Sequence, residues 1–119
     1  MFKNVLQEVV ENTEGGVSSI LMGFDGITVE SYSKQEGEFN AEDIGMEYSV
    51  ILGNVKQATE SLNIGETREM AIQAERMTAV IRLLNDEYFV ALLIRPGGNF
   101  GKARFLLRMN AQQLIEGLK

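Results

Sequence analysis

Residues 44–62 read IGMEYSVILGNVKQATESL, and the spacing within this stretch sets the architecture of the chain. Ile44, Tyr48, Ile51, Leu52, Val55, Ala58 and Leu62 recur at helical intervals and predict an apolar stripe facing the protein's own core. Beside it runs a second line, Gly45, Ser49 and Gly53 at every fourth position, flanked by Met46 and Val50. Glycine inside a helix costs about 1 kcal/mol relative to alanine, so a pair of them on one face calls for a reason. Close approach of another backbone supplies one, most simply the same helix of a second copy. Packing on the domain's own sheet, or plain tolerance of glycine, is the competing explanation. The stretch is read first as the core of an assembly module.

Working outward, Asn40 suits a helix cap, with Glu42 and Asp43 in the first turn where negative charge favours the helix dipole. Upstream, Phe2, Val5, Leu6, Val9 and Val10 are spaced for one face of a short helix. Gly15-Gly16 ends it, the first glycine suiting a left-handed cap. Val17 to Phe24 reads as a strand, and Ile20-Leu21-Met22 within it predicts burial on both faces. Asp25-Gly26 predicts a two-residue hairpin turn with positive φ at both positions, and Ile27 to Tyr32 is the return strand. Ser33 to Phe39 is a polar surface loop. Beyond the long helix, closed by Leu62 to Gly65, three strands are expected near Thr67–Glu75, Met77–Leu84 and Tyr88–Arg95. The first alternates Met70, Ile72 and Ala74 inward; the other two are continuously apolar and therefore central. A last helix after Pro96-Gly97-Gly98-Asn99 buries Ala103, Leu106, Leu107, Leu114, Ile115 and Leu118. Short connections between successive strands imply an antiparallel sheet, with the three helices over its faces, an α/β (α+β sandwich) arrangement.

Composition bounds the function. The 119 residues make one domain, 1–119, large enough to bury roughly two thirds of its unfolded surface. An apolar content of 45% and a charged content of 24% are those of a globular protein, and no apolar run reaches the ~20 residues of a membrane helix. Without cysteine there is no disulfide or thiol chemistry, and with no signal-peptide pattern at the N-terminus the chain is expected to be cytoplasmic. Without histidine, the commonest general base and metal ligand is missing. A net charge of −6 argues against nucleic-acid binding. The charge is uneven: residues 95–119 hold five bases against Glu116 alone, a basic strip on an acidic body.

The hairpin Leu21-Met22-Gly23-Phe24-Asp25-Gly26-Ile27-Thr28-Val29-Glu30-Ser31 and the stretch Asn99-Phe100-Gly101-Lys102-Ala103-Arg104-Phe105-Leu106-Leu107-Arg108 resemble the Roadblock (dynein-light-chain-like) family, bacterial MglB-type members above all. The resemblance spans residues 2–118. It implies a five-stranded antiparallel sheet with the first and third helices on one face and the long second helix on the other. It implies dimers in which the third strands pair edge to edge while the second helices pack antiparallel across the two-fold axis. Dimer-interface residues are then Gly45, Met46, Ser49, Val50, Gly53, Met70 and Ile72. The implied function is a homodimeric regulator or adaptor that binds a Ras-like small GTPase of the MglA type and modulates its GTP hydrolysis or nucleotide cycle. Met46, Val50, Gln57 and Glu60, beside the seam, are the candidate partner contacts. The alternative is a dimeric scaffold subunit that recruits partners without affecting GTP turnover.

Other candidate chemistry fails on inspection. Pro96-Gly97-Gly98-Asn99-Phe100-Gly101-Lys102-Ala103 sits where a phosphate loop would, between strand and helix. Yet Pro96 occupies the first glycine position, and Ala103 replaces the magnesium-binding hydroxyl. Lys102 and Arg104 oppose the dipole of the last helix, and Arg104 and Arg108 form a short basic ridge. The ordinary explanation is a solvated face with acidic neighbours. Glu42/Asp43 and Asp86/Glu87 suit capping and turns. No catalytic residue, metal ligand or cofactor is assigned, and the expected partners are a second copy and a small GTPase, with neither nucleic acid nor membrane.

Overall fold

The computed structural model describes residues 1–34 and 39–119. Residues 35–38 of the expected surface loop lie outside the described residues. Helix α1 spans Phe2–Glu11, followed by strands β1 (Gly16–Gly23) and β2 (Thr28–Ser33). Helix α2 (Ala41–Ser61) precedes β3 (Glu69–Gln73), β4 (Thr78–Leu83) and β5 (Tyr88–Ile94), and α3 (Phe100–Gly117) ends the fold. This is the expected element order.

The strands form one antiparallel sheet in the order β2-β1-β5-β4-β3. Its central joint is the pairing of β1 with β5, which brings Ile20 opposite Ala91 and Met22 opposite Phe89. These two strands and β4 are interior, which accounts for their continuous apolar runs. β2 and β3 are the edges.

Alternation along β1 sorts the core into two layers. Leu21 faces α1 and α3, packing with Leu6, Val10, Val90, Leu92, Ala103 and Leu107. Ile20 and Met22 face the other way, with Leu52 of α2, Ile81, Phe89 and Ala91. All three β1 residues are buried, as the run of apolar residues predicts. Ser19 is buried as well, and its Oγ donates to the carbonyl of Leu6 at 2.9 Å, tying α1 to the sheet.

Two turns differ from their sequence reading. The β1–β2 connection is a three-residue loop. Gly26 N donates to Gly23 O, only Gly26 has positive φ (+85°), and Asp25 Oδ1 accepts from Ile27 N at 3.0 Å. This is a type I turn completed by a left-handed glycine, so Asp25 needs no positive φ. Gly15 is left-handed at φ +84°, but α1 is already capped at Asn12. Its reason lies in tertiary contact: a Cβ there would meet Gly98 Cα at 2.7 Å.

That contact also explains residues 96–103. Arg95 N donates to Gly15 O and Asn99 N to Glu14 O, both at 2.8 Å, locking the loop to the α1–β1 turn. Asn99 then caps α3, its Oδ1 accepting from Lys102 N at 2.9 Å. The glycines serve backbone packing, and the side chain of Asn99 takes up an amide of the helix start.

Candidate protein-interaction surface

Helix α2 is the element on which the sequence places function. Asn40 caps it as expected, its Oδ1 accepting from Asp43 N at 3.1 Å, with Glu42 and Asp43 in the first turn. The helix lies over the β1 side of the sheet, and the residues it buries are Ala41, Gly45, Ser49 and Leu52.

The division of its faces therefore corrects the spacing argument. Gly45 and Ser49, assigned to an outward seam, point into the chain's own core. A Cβ on Gly45 would stand 2.8 Å from Met22 Cε and 3.0 Å from Met22 Sδ, so this glycine lets α2 sit close on its own sheet. Ser49 is buried, and its Oγ donates back to Met46 O at 2.7 Å, so it brings no unsatisfied polar group into the core. Conversely, Ile51, Ala58 and Leu62, assigned to the core stripe, are exposed, while Ile44, Tyr48 and Val55 are half-buried. The core line runs one step round the helix from the most hydrophobic one, because a small residue is needed where the backbone meets the sheet.

The other nominated positions lie outward. Met46 is 54% and Val50 67% exposed. Gly53 faces open space: a Cβ added there would find nothing within 4 Å. Gln57 and Glu60 are exposed further along the helix. Met70 and Ile72 are half-buried on the edge strand β3 and pack against the core on the α2 side. The chain thus presents an apolar flank of its longest helix on the same side of the sheet as the apolar face of an edge strand.

One contributor escaped the sequence reading. Ile27, 66% exposed, follows Gly26, and a Cβ on Gly26 would lie 3.7 Å from Ser49 Oγ and 3.9 Å from Met46 Cγ. The hairpin tip is therefore next to the α2 flank. A β-branched residue immediately after a turn glycine was the available signal.

The arginine-rich face lies on the opposite side of the sheet. Arg104 Nε donates to Glu69 Oε1 at 2.5 Å, and Arg82 Nη1 is 3.7 Å from Glu69 Oε2. The hydrogen bond from Arg104 holds the Glu69 carboxyl below its ordinary range, against partial burial, with help from the charges of Arg104, Arg82 and Arg108. Among the described residues, no group of Asp and Glu is placed to hold a metal ion, and no helix is long and apolar enough to cross a membrane.

No family model matches the chain, and no curated protein matches it by sequence. Solved structures do. MglC from Myxococcus xanthus is 34% identical, with 96% of each chain covered and a TM-score of 0.69. A Roadblock/LC7 domain from Streptomyces avermitilis is 12% identical, covering 98% of this chain and 96% of its own, with a TM-score of 0.85. The gliding protein MglB from Thermus thermophilus is 15% identical, covering 95% of this chain and 84% of its own, with a TM-score of 0.83. The last two share the fold, and MglC shares the sequence across the same elements. The chain belongs to the Roadblock family, among its bacterial MglB- and MglC-type members.

Proposed function

We propose that the chain is a homodimeric regulatory adaptor of the cytoplasm that binds a Ras-like small GTPase of the MglA type and modulates its GTP hydrolysis or nucleotide cycle. The observation that carries this reading is the outward flank of α2. Met46 and Val50 stand more than half in water beside the open Gly53, on the same side of the sheet as Met70 and Ile72 of the edge strand β3. Exposed apolar surface next to an unpaired strand edge is a surface awaiting a partner. A two-fold axis that pairs β3 with its copy would extend the sheet and bring two α2 flanks together, an isologous contact of the commonest kind. Gly53, with no Cβ, would let the two helices approach there. Gly45 and Ser49 would contribute only from beneath, by setting the height of α2 above the sheet.

The action is binding rather than chemistry contributed by this chain. The paired helices, with Met46, Val50, Gln57 and Glu60 at their edge, would bind one conformation of the GTPase switch loops better than the other. They would shift its population by that difference in affinity and no more. The test has two arms. Sedimentation equilibrium at micromolar concentration should give a dimer that Gly53→Leu weakens at least tenfold. Addition of the dimer to its cognate GTPase should change the rate of GTP hydrolysis or nucleotide release. A wild-type monomer overturns the assembly, and an unchanged nucleotide cycle overturns the regulatory role.

The second reading is a dimeric scaffold that recruits partners without affecting GTP turnover; the same outward flank of α2 would serve it, because assembly needs no action on a nucleotide. A stable dimer that joins a multiprotein complex while leaving GTP turnover unaltered would support it.

A further inference from the structure

The face opposite α2 carries a second surface that the proposed dimer would leave free. On the outward side of α3, Phe105 is 50% and Met109 60% exposed, one helical turn apart. Arg104 and Arg108 border this pair on the side towards β3 and β4, and Lys102 borders it on the other, by their positions round the helix. From β4, Arg82 reaches the same border and Glu69 of β3 stands between them. The Glu69 carboxylate thus pairs with Arg104 and Arg82, and Arg108 lies near enough to act on it through its charge. The acid on the far end of α3, Glu116, is taken up by Gln112 and Lys119.

The surface is also indented. Arg104, Phe105 and Arg108 line a shallow depression with Glu69 and Gly101. Arg108 continues into a cleft of about 560 Å³ shared with Arg82 and Thr67. Thr67 Oγ1 is buried in the wall of this cleft without a hydrogen-bond partner among the described residues. Acidic groups, Glu60, Glu66 and Asp86, lie on the walls made by the end of α2, the segment before β3 and the β4–β5 turn.

From this juxtaposition we infer that the α3 face docks an acidic amphipathic segment of a partner protein, a short helix with apolar residues four apart and carboxylates on both flanks. The apolar pair would meet Phe105 and Met109. The flanking carboxylates would meet Arg108 and Arg82 on one side and Lys102 on the other. Paired guanidiniums bind carboxylates with defined geometry, and an apolar anchor bordered by charge makes a helix-recognition surface. An anionic bilayer fits less well: membrane-binding patches carry clusters of about 4–8 basic residues, whereas α3 offers Lys102, Arg104 and Arg108 beside a single apolar pair, a width suited to one helix.

The probe is a fluorescein-labelled alanine-based helical peptide with two leucines four apart and glutamates on both flanks, titrated with the full chain and followed by anisotropy. Binding should saturate in the micromolar range and weaken at least tenfold between about 50 and 300 mM salt, by the screening of exposed charge. Arg108→Glu and, separately, Phe105→Ser should each weaken it tenfold or more, with circular dichroism unchanged. Met109→Ser is the second apolar variant should Phe105→Ser fail to fold. Asn54→Glu, exposed on α2, should leave peptide binding as it was. The proposal is overturned if the glutamate peptide does not bind or if a lysine counterpart binds equally. It is overturned too if binding ignores the α3 variants, or if phosphatidylserine vesicles bind more tightly and displace the peptide.

Discussion

The two faces of the sheet are covered unequally. On one, α1 and α3 enclose a layer that includes Leu6, Val9, Val10, Leu21, Leu92 and Leu107, all buried. On the other, α2 works alone: Leu52 is its one large fully buried apolar residue, and Met46, Val50 and Ile51 remain in water. Two helices can roof a five-stranded sheet; one helix set over the β1 side leaves the β3 side half-covered. The difference marks the first face as the foundation of the fold and the second as the side on which the proposed partner would sit.

The largest effect should come from breaking the foundation. Leu107→Ala removes a fully buried side chain between α3 and the sheet and should cost about 2–5 kcal/mol in urea unfolding. Val50→Ala, at the exposed flank, should change protomer stability by less than about 0.5 kcal/mol while weakening the proposed dimer in sedimentation. Comparable losses at the two sites would erase the distinction between the faces. Next in size is Asn99→Ala, which leaves Lys102 N without its side-chain acceptor and should lower stability by about 1 kcal/mol.

The two glycines of α2 sharpen the comparison within a single helix. Gly53→Ala meets open space and should stabilise the protomer by about 0.5–1 kcal/mol through helix propensity alone. Gly45→Ala gains the same propensity but drives a methyl into Met22, so its net effect in the same denaturation experiment should be smaller or reversed. Equal stabilisation at both would show that α2 rides higher above the sheet than the close approach of Gly45 to Met22 requires.

The smallest effect is one of pH. Because its arginine neighbours depress the Glu69 pKa, that contribution is complete above the unfolded carboxyl pKa and is lost as pH falls through the folded value. Stability measured on the acid side should therefore fall less steeply in Glu69→Gln than in the wild type. Largely exposed ion pairs contribute little, so the change in slope should be slight, and an unchanged slope would remove Glu69 from the account of acid stability.

Much of this was legible from spacing. Period-two alternation and continuous apolar runs located the strands, because a strand buried on both faces has no polar residue to spare. A cap at Asn40 located the start of α2, because a short side-chain acceptor can satisfy an amide in the first turn, and the break at Pro96-Gly97-Gly98-Asn99 located that of α3. The stripe assignment on α2 failed for an equally physical reason. Hydrophobicity ranks which face is greasiest, whereas fit against the sheet ranks which face is smallest, and at Gly45 and Ser49 fit prevailed. The turn at Phe24-Asp25-Gly26 was located correctly and typed wrongly, because the same residues suit either a two-residue loop or a three-residue loop with one left-handed glycine.

By itself the sequence determined the elements, their order, the antiparallel sense of the sheet and the family resemblance. Those depend on local periodicity, capping and turn chemistry, which neighbours in the chain impose on one another. Only tertiary structure decided that β1 lies beside β5, that Gly15 and Gly98 exist for each other, and which side of α2 meets water. These depend on distances between residues far apart in the chain, where shape and close packing select the contact and composition does not.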